Sequence, residues 1–230
     1  MIGIIGAMEE EVSEIKDCLE PSTLSISEKA GMVFYSGTLL GQEVTVVRSG
    51  VGKVNSALCS QVLIDDFYVK ALINTGIAGS LDRDIDIGDI VISKDVIHHD
   101  MDASIFGDPK GWVPRMDTLS FPADEELIKT AETASDIIGI RSFIGRVATG
   151  DQFVASKATK ERIVSEFGAI CTEMEGAGIG QAAYINRVPY VIIRAISDKA
   201  DDSANMDYAE FESHAIANSV KLICKMMELI

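Results

Sequence analysis

Two stretches of the chain combine residue types that could do chemistry. Cys171-Thr172-Glu173-Met174-Glu175-Gly176 brackets a methionine with two carboxylates straight after an apolar, strand-like run. Arg194-Ala195-Ile196-Ser197-Asp198-Lys199-Ala200-Asp201 repeats the pattern, discharging the β-branched run Val191-Ile192-Ile193 into Arg194 and Asp198. Desolvating an unpartnered carboxylate costs several kcal/mol, so such groups should meet a cation, a ligand or water. Strands that end in charge within an α/β rhythm point to the carboxyl edge of a sheet, where open α/β folds keep their ligand sites. The plainer reading makes Glu173 and Glu175 solvated carboxylates at a helix start, favoured by the helix dipole. The same two readings apply to Met8-Glu9-Glu10-Glu11, where dipole complementation explains some of the glutamates and leaves room for one to meet a ligand.

The elements that must hold these groups follow from periodicity. Residues 2–7, punctuated by Gly3 and Gly6, read as a buried strand, and Val12, Ile15 and Leu19 then recur at helical spacing. Residues 32–39 and 43–48 read as an antiparallel hairpin, which makes the sheet mixed. A helix is expected after Ser49-Gly50-Val51-Gly52-Lys53, to about residue 66. Its glycines do not make a phosphate loop: Val47 and Val54 occupy the Walker positions, and Asn55 stands where a dinucleotide fingerprint needs glycine. Residues 71–76 read as a strand, followed by a loop Ile77-Ala78-Gly79-Ser80 able to offer backbone N–H groups to an anion or to sugar oxygens. Further strands are expected at 87–96, 143–148 and from Pro189, and further helices at 123–138, 157–167, 176–184 and 207–229. His98-His99-Asp100-Met101-Asp102 has metal-type residues, but adjacent histidines on an extended chain face opposite ways. Residues 101–122 lose periodicity while Phe106, Trp112 and Pro114 accumulate, as in a lid or a subunit contact. The order of strands and helices implies a three-layer α/β/α sandwich with a central mixed β-sheet, a single domain over residues 1–230.

Composition narrows the partners. The formal charge of −16, from 36 acidic and 20 basic residues, repels polyanions, so nucleic acid is not expected. No apolar run has the length of a membrane span and the N-terminus lacks a basic leader, so neither membrane nor export is expected and the setting read is cytoplasmic. The 4 cysteines form no CxxC pair and suit a reducing compartment rather than a disulfide framework or a zinc site.

Taken in order, residues 3–11, Ser49-Gly50-Val51-Gly52-Lys53-Val54, Asn74-Thr75-Gly76, Gly150-Asp151-Gln152-Phe153, Glu173-Met174-Glu175 and Arg194-Ala195-Ile196-Ser197-Asp198 resemble the 5′-methylthioadenosine/S-adenosylhomocysteine nucleosidases of the purine nucleoside phosphorylase/uridine phosphorylase superfamily. The resemblance covers nearly the whole chain. It implies hydrolysis of an adenine nucleoside, including 5′-deoxyadenosine, with neither cofactor nor metal. Asp198 would be the general acid toward adenine N7, oriented by Ser197, and Glu11 the base for water, with Arg194 helping to place that water. Glu175 would take the ribose hydroxyls with help from the Met174 backbone. Phe153 and Val154 would frame adenine, and Met8, Val51 and Tyr208 would surround the ribose and 5′-alkylthio group. Glu173 would join the substrate-binding set or, alternatively, bond backbone amides. Ala103, Phe106 and Pro114 would reach the partner's pocket in a homodimer. Ile77 departs from the pattern, since many members carry serine there. The alternatives are a phosphate-dependent phosphorylase, an aminofutalosine nucleosidase, or a non-catalytic nucleoside sensor.

Overall fold

A computed structural model describes residues 1–201 and 204–230. In chain order the elements are β1 (Ile2–Gly6), α1 (Glu9–Asp17), β2 (Ser25–Lys29), β3 (Met32–Leu39), β4 (Gln42–Arg48), α2 (Lys53–Phe67), β5 (Leu72–Asn74), β6 (Ile77–Ser80) and β7 (Ile90–His98). A 3₁₀ turn (Ser104–Phe106) precedes β8 (Phe121–Pro122), α3 (Glu125–Ile138), β9 (Ser142–Thr149), α4 (Lys157–Phe167), β10 (Cys171–Glu173), α5 (Gly176–Asn186), β11 (Tyr190–Asp198) and α6 (Ala204–Leu229).

The sheet is mixed, with strand order β2-β3-β4-β1-β5-β11-β6-β10-β9-β7-β8 and a further antiparallel pairing of β11 with β7. That extra pairing closes β11, β6, β10, β9 and β7 into a ring, while β2 to β5 extend from it as an open sheet. β11 joins the two parts. Its first half runs parallel to β5, its middle antiparallel to β7, and its end parallel to β6. Every residue of β11 is buried. Val191, Ile193 and Ala195 enter one core with Val12 and Ile15 of α1, Leu127 and Ala131 of α3 and Ile216 and Ile223 of α6. Tyr190, Ile192 and Ile196 enter the opposite core with Cys59 and Leu63 of α2 and Ala177 and Ile179 of α5. The two-residue period of a strand thus assigns the helices to two outer layers, the expected three-layer arrangement. Ile163 and Phe167 of α4 pack on a smaller third cluster.

Local signals set the helix ends. Asp124 caps α3 by accepting the backbone N–H groups of Glu126 and Leu127, and Ser156 caps α4 by accepting that of Thr159. Gly139 and Gly168 end the same two helices with φ of 70° and 62°, left-handed values that favour glycine.

Several boundaries differ from the sequence reading. Residues 77–80 form β6 rather than a loop: Gly79 pairs with Thr172 across the antiparallel partner β10, while the Ile77 N–H turns to the Glu11 carboxylate. β2 was not foreseen, because Ser25-Ile26-Ser27-Glu28-Lys29 lies largely exposed at the sheet edge and carries little apolar alternation. The long aperiodic segment is partly ordered by contacts. The indole N–H of Trp112 donates to the Met116 carbonyl at 3.0 Å, and Val113 packs on the core, so neither joins an exposed apolar group. The last helix begins at Ala204 rather than at 207.

Candidate active site

Strand ends bring the chemistry together. The turn after β1 supplies Met8 and Glu11, the end of β10 supplies Glu173, Met174 and Glu175, and the end of β11 supplies Ser197 and Asp198. With Val51, Ile77, Phe153 and Tyr208 these residues line one cavity of about 360 Å³. Val154 lines a narrow extension beside Phe153 and Asp198. Ala7, Ala78, Gly79 and Thr172 also contribute wall, without having been foreseen.

At one end Asp198 is almost fully buried. Its Oδ2 accepts the Ser197 hydroxyl at 2.9 Å and its Oδ1 accepts the Ala200 N–H at 2.8 Å. Burial pushes its carboxyl above the usual range against the pull of those two donors, and the charges of Asp207 and Asp201 add to the rise. Gly79 permits the approach, since a Cβ there would stand 2.7 Å from Asp198 Oδ1.

Glu11 lies in the first turn of α1, but it does more than complement a dipole. Its Oε2 accepts the N–H groups of Ala7 at 2.6 Å and Met8 at 3.0 Å, and its Oε1 accepts that of Ile77 at 3.3 Å. Burial raises its pKa, offset in part by the Arg194 charge and these donors. Gly76 makes room here, because a Cβ would lie 2.5 Å from Glu11 Oε1 and collide with Arg194.

Between these ends Glu175 accepts the Gly52 N–H at 2.8 Å and faces Arg194 Nη2 at 3.2 Å. Its pKa is pushed up to about 7, first by burial and then by the neighbouring Glu173 and Glu11 charges, against Arg194 and Gly52. Glu173 borders the cavity with its carboxylate already engaged. It accepts the N–H groups of Glu175 at 2.9 Å and Gly176 at 2.7 Å, the Thr149 hydroxyl, and Arg194. Of the two roles foreseen for it, substrate ligand or acceptor of backbone amides, these bonds show the second, which shapes the turn that presents Glu175. Arg194 lies beside Glu11, since a Cβ on Gly76 would come within 2.2 Å of its Nη1 and 2.5 Å of Glu11 Oε1. It is 1% exposed and stands behind the wall, bonded to Asn74 Oδ1 at 2.7 Å, Glu173 and Glu175, so it acts as their counter-charge. Thr149 was missed by sequence reasoning: its hydroxyl donates to Glu173 and accepts the Ala177 N–H at 2.8 Å. The one hint was a hydroxyl at a strand end, next to the Gly150-Asp151 motif.

Phe153 meets the Tyr208 ring edge-on at 5.8 Å, and Tyr208 reaches Met8 Sδ at 3.6 Å, which gives the mouth an aromatic and thioether rim. Ile77 has its side chain both in the core cluster and at the cavity wall. Ala103, Phe106 and Pro114 are not among the residues lining this cavity, and Phe106 is 86% exposed. Among the described residues no Lys or Arg lines the cavity, and no group of His, Cys, Asp and Glu is placed to hold a metal ion.

The phosphorylase superfamily model matches residues 1–228. A curated 5′-methylthioadenosine/S-adenosylhomocysteine nucleosidase from Staphylococcus haemolyticus is 39% identical over 232 aligned positions, covering 100% of both chains. The chain belongs to this nucleosidase family. Among solved structures, the nucleosidase from Neisseria meningitidis in complex with methylthio-immucillin-A superposes with a TM-score of 0.95 at 34% identity, covering 100% of this chain and 99% of that one. A futalosine hydrolase of Helicobacter pylori gives a TM-score of 0.95 at 35% identity, covering 100% and 97%. The nucleosidase fold thus accounts for the full length of the sheet and helices described above.

Proposed function

We propose that the protein hydrolyses the N-glycosidic bond of 5′-methylthioadenosine and S-adenosylhomocysteine, releasing adenine and the 5′-thioribose. The observation that carries this reading is a buried Asp198, its pKa raised by burial, across an acid-lined cavity from Glu11. Asp198 delivers its proton to adenine N7 as the C1′–N9 bond breaks. A water oxygen bonds to C1′ and gives its proton to Glu11. The sugar passes through an oxocarbenium-like state, which the Glu175 anion at the ribose hydroxyls stabilises more than the ground state. Phe153 and Val154 frame adenine, the Met174 backbone meets the ribose, and Met8, Val51, Ile77 and Tyr208 surround the 5′ side. Arg194 and Glu173 hold Glu175 in place and balance its charge.

A phosphorylase would need a cationic pocket for its nucleophile. The absence of Lys and Arg from the lining, among the described residues, favours water instead. Assaying free adenine in phosphate-free buffer tests this, because turnover that depends on phosphate would overturn the hydrolytic reading. The likeness to a futalosine hydrolase supports a second reading, an aminofutalosine nucleosidase, and the same assay with that substrate ranks the two.

We further infer one catalytic domain over residues 1–230, a cytoplasmic setting, and a homodimer in which Ala103, Phe106 and Pro114 line the partner's alkylthio pocket. Exposed Ile105 and Phe106 support the contact. Mixing inactive Asp198→Asn and Phe106→Asp subunits tests it. With cross-subunit lining one site of the heterodimer is free of both defects and activity returns. With a lid folded onto its own chain none returns.

A further inference from the structure

Asp100 belongs to the His-His-Asp cluster at the end of β7, does not line the cavity, and has no part in the chemistry above. Its carboxylate nevertheless joins two loops that do line it. Oδ1 accepts Lys53 Nζ at 2.5 Å, at the start of α2, and Oδ2 accepts the Asp151 N–H at 2.9 Å, in the turn after β9. Asp151 closes the circuit by accepting the Lys53 N–H at 2.9 Å through its own Oδ1. The packing beneath is tight on both sides. A Cβ on Gly52 would stand 3.0 Å from Asp151 Oδ1, and one on Gly150 would lie 2.4 Å from the His99 ring in the clash-free backbone present now.

The consequences reach the substrate side through backbone. Gly52, next to Lys53, donates its N–H to Glu175 Oε1. Val51 on one loop and Phe153 and Val154 on the other form cavity wall. A carboxylate with one oxygen on each loop fixes the separation of the ribose side from the adenine side, and charge-assisted hydrogen bonds are the stronger kind for that purpose.

We propose that Asp100 is a positioning residue: with Lys53 and Asp151 it clamps the Val51–Lys53 loop to the Asp151–Val154 loop and so sets substrate affinity through the walls formed by Val51, Phe153 and Val154. The proposal rests on the nucleosidase reading. Because the clamp holds walls that meet substrate and transition state alike, losing it removes uniform binding, which raises KM more than it lowers kcat.

KM and kcat for adenine release from 5′-methylthioadenosine, with thermal unfolding, are measured for wild type, Asp100→Ala, Asp100→Asn, Lys53→Met and the Asp100→Asn/Lys53→Met pair. Asp100→Ala is expected to raise KM about tenfold and change kcat less than about threefold. Asp100→Asn, which keeps an acceptor for Asp151, should raise KM less. Lys53→Met, which also removes the 3.9 Å approach of Nζ to Asp151, should raise KM at least as much as Asp100→Asn, and the double variant should be no worse than Lys53→Met, since both singles remove the Asp100–Lys53 bond. Should Asp100→Ala not fold, the near-isosteric Asp100→Asn and the Lys53→Met pair carry the comparison. Unchanged KM in folded variants, whatever their melting points, overturns the clamp, as do effects of the two singles that multiply in the double. No adenine release from wild type overturns the nucleosidase reading itself, a result distinct from either.

Discussion

Ile77→Ser introduces a hydroxyl at the position that departs from the expected motif, and its effect follows from where the side chain sits. Ile77 is 8% exposed and packs in the cluster that includes Val12, Ile193 and Ala195, so the change strips branched carbons from a filled site. At about 0.8 kcal/mol per buried carbon group the transfer loss is roughly 2–3 kcal/mol. The incompletely collapsed gap and the hydroxyl add about 1 kcal/mol. For a chain of this size each kcal/mol moves Tm by about 2–4 °C, so Tm should fall by roughly 6–16 °C. The catalytic contact, by contrast, runs through the backbone: the Ile77 N–H donates to Glu11 Oε1 and survives the substitution. We therefore expect kcat to change less than about threefold, because the base keeps its donors. Calorimetric unfolding and steady-state adenine release on the same preparation decide the matter. An unchanged Tm accompanied by a tenfold or larger change in kcat would refute the reasoning, since it would mean that the side chain serves the water rather than the core.

Asp198→Asn should cut turnover by about 10²-fold or more while the protein stays folded, because an amide can replace the hydrogen bonds to Ser197 and Ala200 but has no proton to give. Near-normal release of adenine would reassign the acid. Glu11→Gln should abolish hydrolysis yet leave nucleoside binding measurable by calorimetry, and a loss of affinity as large as the loss of rate would make Glu11 a structural residue. Glu175 gives a pH dependence of definite sign. Its folded-state pKa of about 7 lies above the ordinary 4.5, so its contribution to stability is full below pH 4.5 and is lost as pH rises through about 7. Ribose binding needs the anion and should run the other way, weakening as pH falls below about 7. Glu175→Gln should flatten the stability profile between those limits, and an unaltered profile would trace it to another group.

What could be read from the residues was set by how local each signal is. β11 announces itself because Val191-Ile192-Ile193 is apolar and β-branched, and α4 because residues 157–167 carry the charge of a surface helix. β6 could not be told from a loop, since Ile77-Ala78-Gly79-Ser80 is short and small-residue, and its strand character comes from partners distant in the chain. In the site, the motifs carried Asp198, Glu11 and Glu175 to one cavity. The division of labour between Glu173 and Glu175 was legible only as an alternative, because two identical side chains are separated by which one turns back onto its own amides. Arg194 was found by its type, while its position behind the wall depends on Asn74 in a different strand.

The junction at β11 also has a bearing on how the molecule comes into being. Synthesis delivers β1 to β10 and five helices before Tyr190 emerges, and until then the open half-sheet and the incomplete ring have no strand in common. Over that interval Glu173 and Glu175 exist without the guanidinium of Arg194, so the acidic pocket is self-repelling and the nascent chain gains little by closing it. Arrival of one late segment zips both halves and neutralises the cluster together. A ribosome-stalled chain ending before residue 190 should accordingly be open to protease across both halves, and protection should appear in one step once β11 has cleared the exit tunnel.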